Sequence, residues 1–209
     1  TVEDDNRLVL RDYSTLEEVA SVRAEALRGA QQLIVLKDER VLVPGFETNS
    51  VSLWTTEAGV VAAASSISGL RGMGSPQAIA VSPDETRAYV GGYCDHSIAI
   101  LRIDGETLEW SGSVGYQGEV ETGCAPLDIG QRERDKALLE HPSALAVSPD
   151  GSFLYAAIKA RNLLLVVYEI AGDALLLAGT IADSPPFDDY SDEDFHLHPP
   201  DLPNPFDFE

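Results

Sequence analysis

The feature that most constrains this chain is a segment that occurs twice. Ser75-Pro76-Gln77-Ala78-Ile79-Ala80-Val81-Ser82-Pro83-Asp84 returns 66 positions later as His141-Pro142-Ser143-Ala144-Leu145-Ala146-Val147-Ser148-Pro149-Asp150. Each copy is followed at the same distance by an aromatic-aliphatic pair, Tyr89-Val90 and Tyr155-Ala156. A weaker copy lies upstream: Gln32 to Asp38, then Val41-Leu42-Val43-Pro44-Gly45, then Asn49-Ser50-Val51-Ser52-Leu53. Shifted by 47 positions, its second half becomes Val90-Gly91-Gly92 and His96-Ser97-Ile98-Ala99-Ile100. A recurring unit of this size means that the chain stacks similar pieces, and such a pattern overrides local propensity in deciding the fold.

Within a unit the apolar residues come in four short runs separated by turn residues. In the middle unit these are Ala78 to Ser82, Arg87 to Gly91, Ser97 to Ile103 and Thr107 to Val114, broken at Pro83-Asp84-Glu85, Asp95-His96 and Asp104-Gly105. Short strands joined by tight turns pair as an antiparallel meander. Four strands in about 45 residues is the unit of a β-propeller blade. The first run of each unit is rich in alanine, at Ala78, Ala80, Ala144 and Ala146, as expected of strands crowded near an axis. The expected fold is therefore all-β: a partial or open propeller of about three and a half four-stranded antiparallel blades. Residues 1–28 supply the two last strands of a preceding blade, and blades follow at 29–73, 74–116 and 141–182. Residues 117–140 form an insertion, with one or two helical turns expected at Arg132 to Leu139. Residues 183–209 form an acidic loop or tail containing six prolines, nine acidic residues and no Lys or Arg.

The Ser-Pro-Asp-Gly/Glu turn, the aromatic-aliphatic pair, the polar turn and the short aliphatic strand together resemble YVTN-type repeats over residues 7 to 182. Those repeats occur in 6-phosphogluconolactonase-like seven-bladed propellers and in surface proteins. The resemblance implies a ring of about 300 residues, so this chain of 209 residues holds about half of one. So few blades are expected to be a section of a longer protein, or an arc completed by another chain or a missing segment, and a chain opening on Thr1 with no leader pattern is expected either to have lost a leader or to be a piece of a longer one.

Composition narrows the partners. Fourteen Lys and Arg stand against 35 Asp and Glu, a net charge of −21, which repels phosphate backbones and argues against nucleic acid. No apolar run approaches the roughly 18 to 20 residues of a membrane-spanning helix. The expected partners are a small molecule, a carbohydrate or a protein.

Up-and-down strand order sorts the loops by face. The tight turns at Pro83-Asp84, Asp104-Gly105 and Pro149-Asp150 fall on one side. Phe46 to Asn49, Tyr93 to His96, Lys159 to Asn162, the insertion and the tail fall on the other, where long loops commonly carry function. The residues expected at a ligand face are Asn49, Asp95, His96, His141, Arg161 and Asn162. Asn49, His96 and Asn162 share one turn position, which Asn and His tolerate at positive φ, so a turn-forming role is the first reading of His96. Cys94 and Cys124 lie in two loops of this face; they are expected either to form a disulfide, which favours a periplasmic or extracellular setting, or to be unrelated thiols. In the tail Asp192, Glu193, Asp194, His196 and His198 make an oxygen and imidazole set for a divalent cation such as calcium, without calcium-loop spacing; weak binding or none is the default there, and no other cofactor motif is evident.

No nucleophile elbow, His-Glu-x-x-His helix or phosphate loop occurs. The resemblance implies an acid, an arginine and a histidine near the axis in lactonase-like propellers, but no such set can be assigned to positions here. Three functions remain open, in this order: an exported scaffold binding through its loop-rich face, part of a lactonase-like hydrolase, and a propeller subunit of a redox enzyme.

Overall fold

The computed structural model describes residues 6–115, 139–159 and 164–182. Four sheets follow one another along the chain, each an antiparallel meander in sequence order. The first has two strands, β1 (Arg7–Arg11) and β2 (Glu18–Arg23). The second holds β3 (Ile34–Val35), β4 (Val41–Gly45), β5 (Ser50–Thr55) and β6 (Ala62–Ser68). The third holds β7 (Pro76–Val81), β8 (Arg87–Gly92), β9 (Ser97–Asp104) and β10 (Thr107–Gly115). The fourth holds β11 (Pro142–Val147), β12 (Phe153–Ile158), β13 (Leu164–Ala171) and β14 (Ala174–Ala182). The chain is an all-β partial propeller whose sheets are blades. Among the described residues no helix is long and apolar enough to cross a membrane.

Strand alternation explains why the blades stack. Successive side chains of a strand point to opposite faces, and in the third sheet both faces are apolar. Ala88, Val90, Ala99 and Leu101 pack against Leu42, Val51 and Leu53 of the second sheet. Tyr89, Ile98 and Ile100 turn the other way, onto Leu154, Ala156, Val166 and Tyr168 of the fourth. A third cluster joins the first two sheets through Leu8, Val41, Val43 and Trp54. Among the described residues the hydrophobic core is thus three seams between blades. Burying one large aliphatic side chain is worth about 1.5–3 kcal/mol, so each seam outweighs any single turn.

The Ser-Pro-Asp copies fold identically. Ser82 Oγ donates to Asp84 Oδ1 at 2.6 Å and accepts from Arg87 N at 3.0 Å, while Glu85 N closes on Ser82 O at 2.8 Å. In the later copy Ser148 Oγ donates to Asp150 Oδ1 at 2.5 Å and accepts from Phe153 N at 2.9 Å, with Gly151 N on Ser148 O at 2.9 Å. Glu85 and Gly151 both take positive φ, 58° and 75°. Hydrogen bonds from Ser82 and Thr86 lower the Asp84 pKa to about 2.

The structure departs from the sequence reading in places. The first strand of the second blade, expected from Gln32 to Asp38, is only two residues long. Gln32 instead turns its side-chain amide onto the next blade: Oε1 accepts from Ile79 N at 3.0 Å and Nε2 donates to Ile79 O at 3.2 Å. Short 3₁₀ turns at Glu25–Leu27 and Glu57–Gly59 were not foreseen. Ala78 and Ala80 are buried as crowded axial residues should be, but Ala144 and Ala146 are exposed. They lie on the face of the fourth sheet opposite its seam with the third. The helical turns expected at Arg132 to Leu139 lie, apart from Leu139, outside the described residues. Leu139 itself is buried in the seam between the third and fourth sheets.

Candidate functional site

In the second and third blades a side chain in the turn between the second and third strands reaches the next blade. In the second blade this is Asn49, at φ 50°, whose Oδ1 accepts from Ser75 N at 2.7 Å. In the third it is His96, also at φ 50°, whose Nδ1 accepts from His141 N at 3.1 Å. Ser75 and His141 hold the same place before the first strand of the following blade, and both have positive φ, 48° and 53°. Imidazole Nδ1 here stands where a carboxamide oxygen stands one blade earlier. A neutral His96 must then carry its proton on Nε2.

The same loops place three different side chains at one repeated position. Tyr93 N donates to Ser75 O at 3.3 Å, and Lys159 N donates to His141 O at 3.1 Å, so Tyr93 and Lys159 occupy equivalent sites. Shifted back by 47 positions, Tyr93 becomes Phe46. These residues form a row across three blades. The Phe46 and Tyr93 rings lie 6.3 Å apart, and Lys159 Nζ stands 6.0 Å from the Tyr93 ring centre, the outer range of a cation–π contact. His141 stacks on Tyr93 at 4.3 Å and meets His96 edge-on at 4.5 Å. Its Nδ1 lies 2.8 Å from Tyr93 O; a carbonyl only accepts, so that nitrogen bears the proton.

Beneath the row, Asp95 is buried. Its Oδ2 accepts from Gly72 N at 2.9 Å and its Oδ1 from Gly74 N at 2.8 Å. Desolvation raises its pKa, and the backbone hydrogen bonds from Gly74 and Gly72 oppose that shift. The cradle needs glycine: a Cβ on Gly92 would come within 2.2 Å of Asp95 Oδ1, and one on Gly74 within 2.6 Å. Cys94 N donates to Gly74 O at 3.0 Å, which fastens the same two segments. Cys94 is buried and disulfide-bonded.

The structure therefore brings Asn49, Asp95, His96 and His141 into one connected network on the loop-rich face. Arg161, Asn162, Cys124, Asp192, Asp194, His196 and His198 lie outside the described residues. Among the described residues no group of three or more His, Cys, Asp or Glu side chains could hold a metal ion. Phe46, Tyr93 and Lys159 were not singled out from the sequence, although the shifts that align Asn49 with His96, and Ser75 with His141, also align them.

No family model matches the chain, and no curated protein matches it. Solved structures do. A protein of Bacteroides fragilis provisionally assigned as a 6-phosphogluconolactonase is 16% identical with a TM-score of 0.59, over 78% of this chain and 41% of that one. A protein from Lactobacillus plantarum is 20% identical with a TM-score of 0.60, over 80% and 48%. The hydrazine synthase of Kuenenia stuttgartiensis is 18% identical with a TM-score of 0.62, over 86% and 44%. The likeness is to lactonase-like and hydrazine synthase propeller folds, and this chain spans less than half the length of each.

Proposed function

We propose that this chain is part of a propeller scaffold that binds a partner through its loop-rich face. The observation that carries the reading is the row at one position of the repeat, aligned by the sequence shift, where successive blades offer Phe46, Tyr93 and Lys159 in contact range of one another. Tyr93 and Lys159 are held by the same backbone hydrogen bond, while in the second blade the corresponding bond, to Arg28 O, comes from Glu47 N beside Phe46; the side-chain chemistry along the row changes from apolar to aromatic hydroxyl to cation. Two rings and an ammonium suit a ligand with a flat apolar face and a negative group at its edge, such as an acidic sugar or peptide. The tail carboxylates and imidazoles at Asp192, Asp194, His196 and His198 could hold a divalent cation such as calcium as an accessory.

The disulfide at Cys94 supports an oxidising setting, periplasmic or extracellular, with Cys124 as the proposed partner, since the chain has two cysteines. Mass spectrometry of non-reduced peptides tests the pairing, and a Cys94 joined to anything but Cys124 overturns it.

Binding is tested by titrating a panel of acidic and neutral oligosaccharides and peptides into the chain by calorimetry, beside a Phe46→Ala, Tyr93→Ala, Lys159→Ala variant. The expected result is a ligand whose affinity falls at least tenfold in the variant while its circular dichroism is unchanged. No ligand in the panel, or equal binding to both proteins, refutes the reading.

A second reading, part of a lactonase-like hydrolase, draws on two solved neighbours provisionally assigned as 6-phosphogluconolactonases. The chemistry of the loop network weighs against it. Asp95 is buried and already accepts backbone N–H bonds on both oxygens, and His96 Nδ1 is occupied by the His141 N–H, which leaves neither group placed to activate water. Turnover of a sugar or acyl lactone, measured with and without chelator, would reinstate it. The third, a redox-enzyme subunit, draws on the hydrazine synthase neighbour and requires a partner carrying the cofactor.

A further inference from the structure

The joints made by Asn49 and His96 respond differently to a proton. A carboxamide oxygen accepts at any pH, whereas an imidazole ordinarily changes charge between about pH 5 and 8. His96 is buried, and its Nδ1 accepts the His141 N–H at 3.1 Å. A backbone N–H can only donate, so a second proton on His96 sets donor against donor and breaks the bond. His141 differs: its Nδ1 proton already points to Tyr93 O at 2.8 Å, so a second proton goes to Nε2 and leaves that bond intact. The surroundings offer a cationic His96 little. The two imidazole rings lie 4.5 Å apart, and Lys159 Nζ stands 6.0 Å from the Tyr93 ring on which His141 stacks. The other titratable groups at the joint among the described residues are Tyr93 and Asp95 of the same turn and the partly buried Glu140 beside His141. Asp95 turns its two oxygens to Gly72 N and Gly74 N instead.

We propose that His96 is a proton-sensitive latch between the third and fourth blades. Neutral, it holds the residue that opens the fourth blade; protonated, it releases the His141 N–H, and the stack of His141 on Tyr93 loosens with it. The joint one blade earlier, from Asn49 to Ser75 N, has no titrating acceptor and is a control within the same molecule. The sign follows from linkage. In the unfolded chain an imidazole takes its proton near pH 6.5, and the folded latch takes it less readily because a bond must break. Its contribution to stability is therefore present above about pH 6.5 and is lost as pH falls below that value. Carboxylates such as Asp173 titrate in a more acid window. The latch acts whether or not the loop-rich face holds a ligand.

Amide hydrogen exchange of the full chain, read by nuclear magnetic resonance, tests the latch. After correction for the intrinsic exchange rate, protection of the His141 amide should fall about tenfold relative to the Ser75 amide between about pH 7.5 and 5.5. His96→Asn should hold the amide at position 141 at constant protection over that range, because its acceptor does not titrate. His141→Gln keeps the backbone donor and should retain the fall. The ring nitrogens of His96 in the native chain should report Nδ1 gaining a proton over the same interval, a reading that needs no variant to fold. Four results would overturn the proposal. Protection at positions 75 and 141 could change equally or not at all; the fall could survive in His96→Asn; it could vanish in His141→Gln, which would make His141 the titrating group; or it could occur while His96 Nδ1 stays unprotonated.

Discussion

Asn49 and His96 perform one task with different atoms, and the difference makes the task measurable. Each sits at positive φ and accepts the N–H of the residue that opens the next blade. His96→Asn should therefore be nearly neutral, since it restores the acceptor used one blade earlier. His96→Ala removes the acceptor and leaves the His141 N–H without it, at an expected cost of about 1–2 kcal/mol in urea unfolding. Asp95 stands deeper. Asp95→Ala would strip the partners from Gly72 N and Gly74 N inside the fold, where an unsatisfied buried donor costs about 1–3 kcal/mol. A loss near 3 kcal/mol or more is expected because two donors are affected, and the same urea titration reads it. A loss below 1 kcal/mol would show that water reaches both amides.

Hairpin turns on the opposite face carry the acid sensitivity of the blades. Asp173, in the β13–β14 turn, pairs with Arg87 of β8 and Arg102 of β9 and so clamps the fourth blade to the third. Hydrogen bonds from Arg102 and Arg87 lower its pKa to about 2, below the unfolded value of about 3.9. A carboxylate held low stabilises the fold above its unfolded pKa and loses that contribution as pH falls through the folded one. The melting-temperature gap between the native chain and Asp173→Asn should then be constant from pH 7 to about 5, shrink below about 4 and vanish near 2. Because these groups are solvent-accessible, added salt should narrow the gap at neutral pH.

At this scale the sequence was most readable, since β7 to β14 follow the repeated alternation and the Ser-Pro-Asp turns. What escaped was non-local. β3 shrinks to two residues because Gln32 meets the neighbouring backbone with its side chain, and nothing in a strand pattern announces that exchange. The Asp95 cradle needs glycines from a connection more than 20 residues away, which no local spacing reveals. Phe46 and Tyr93 share a ring but Lys159 at the same position does not, so similarity scanning passes over the row.

Among the described residues the sheets are coupled in a line through apolar seams between neighbours, and stability in such an array varies with the number of seams a unit shares. The third sheet is buried on both faces, by the second sheet on one side and the fourth on the other. The fourth shares one seam and leaves Leu176, Leu177 and Ile181 exposed; the first has two strands and one seam. Local opening should begin where the fewest apolar contacts must break. Native-state hydrogen exchange is therefore expected to rank the β8 and β9 amides as slowest, close to the global unfolding free energy, with β1–β2 and β13–β14 opening at lower free energies. Ile98→Ala, which empties a fully buried site in the seam between the third and fourth sheets, should cost about 2–5 kcal/mol globally. It should also lower the opening free energy of β11 to β14 more than that of β3 to β6. Equal acceleration in both blades would mean that the described sheets unfold as one cooperative body, and the linear coupling of the seams would have to be abandoned.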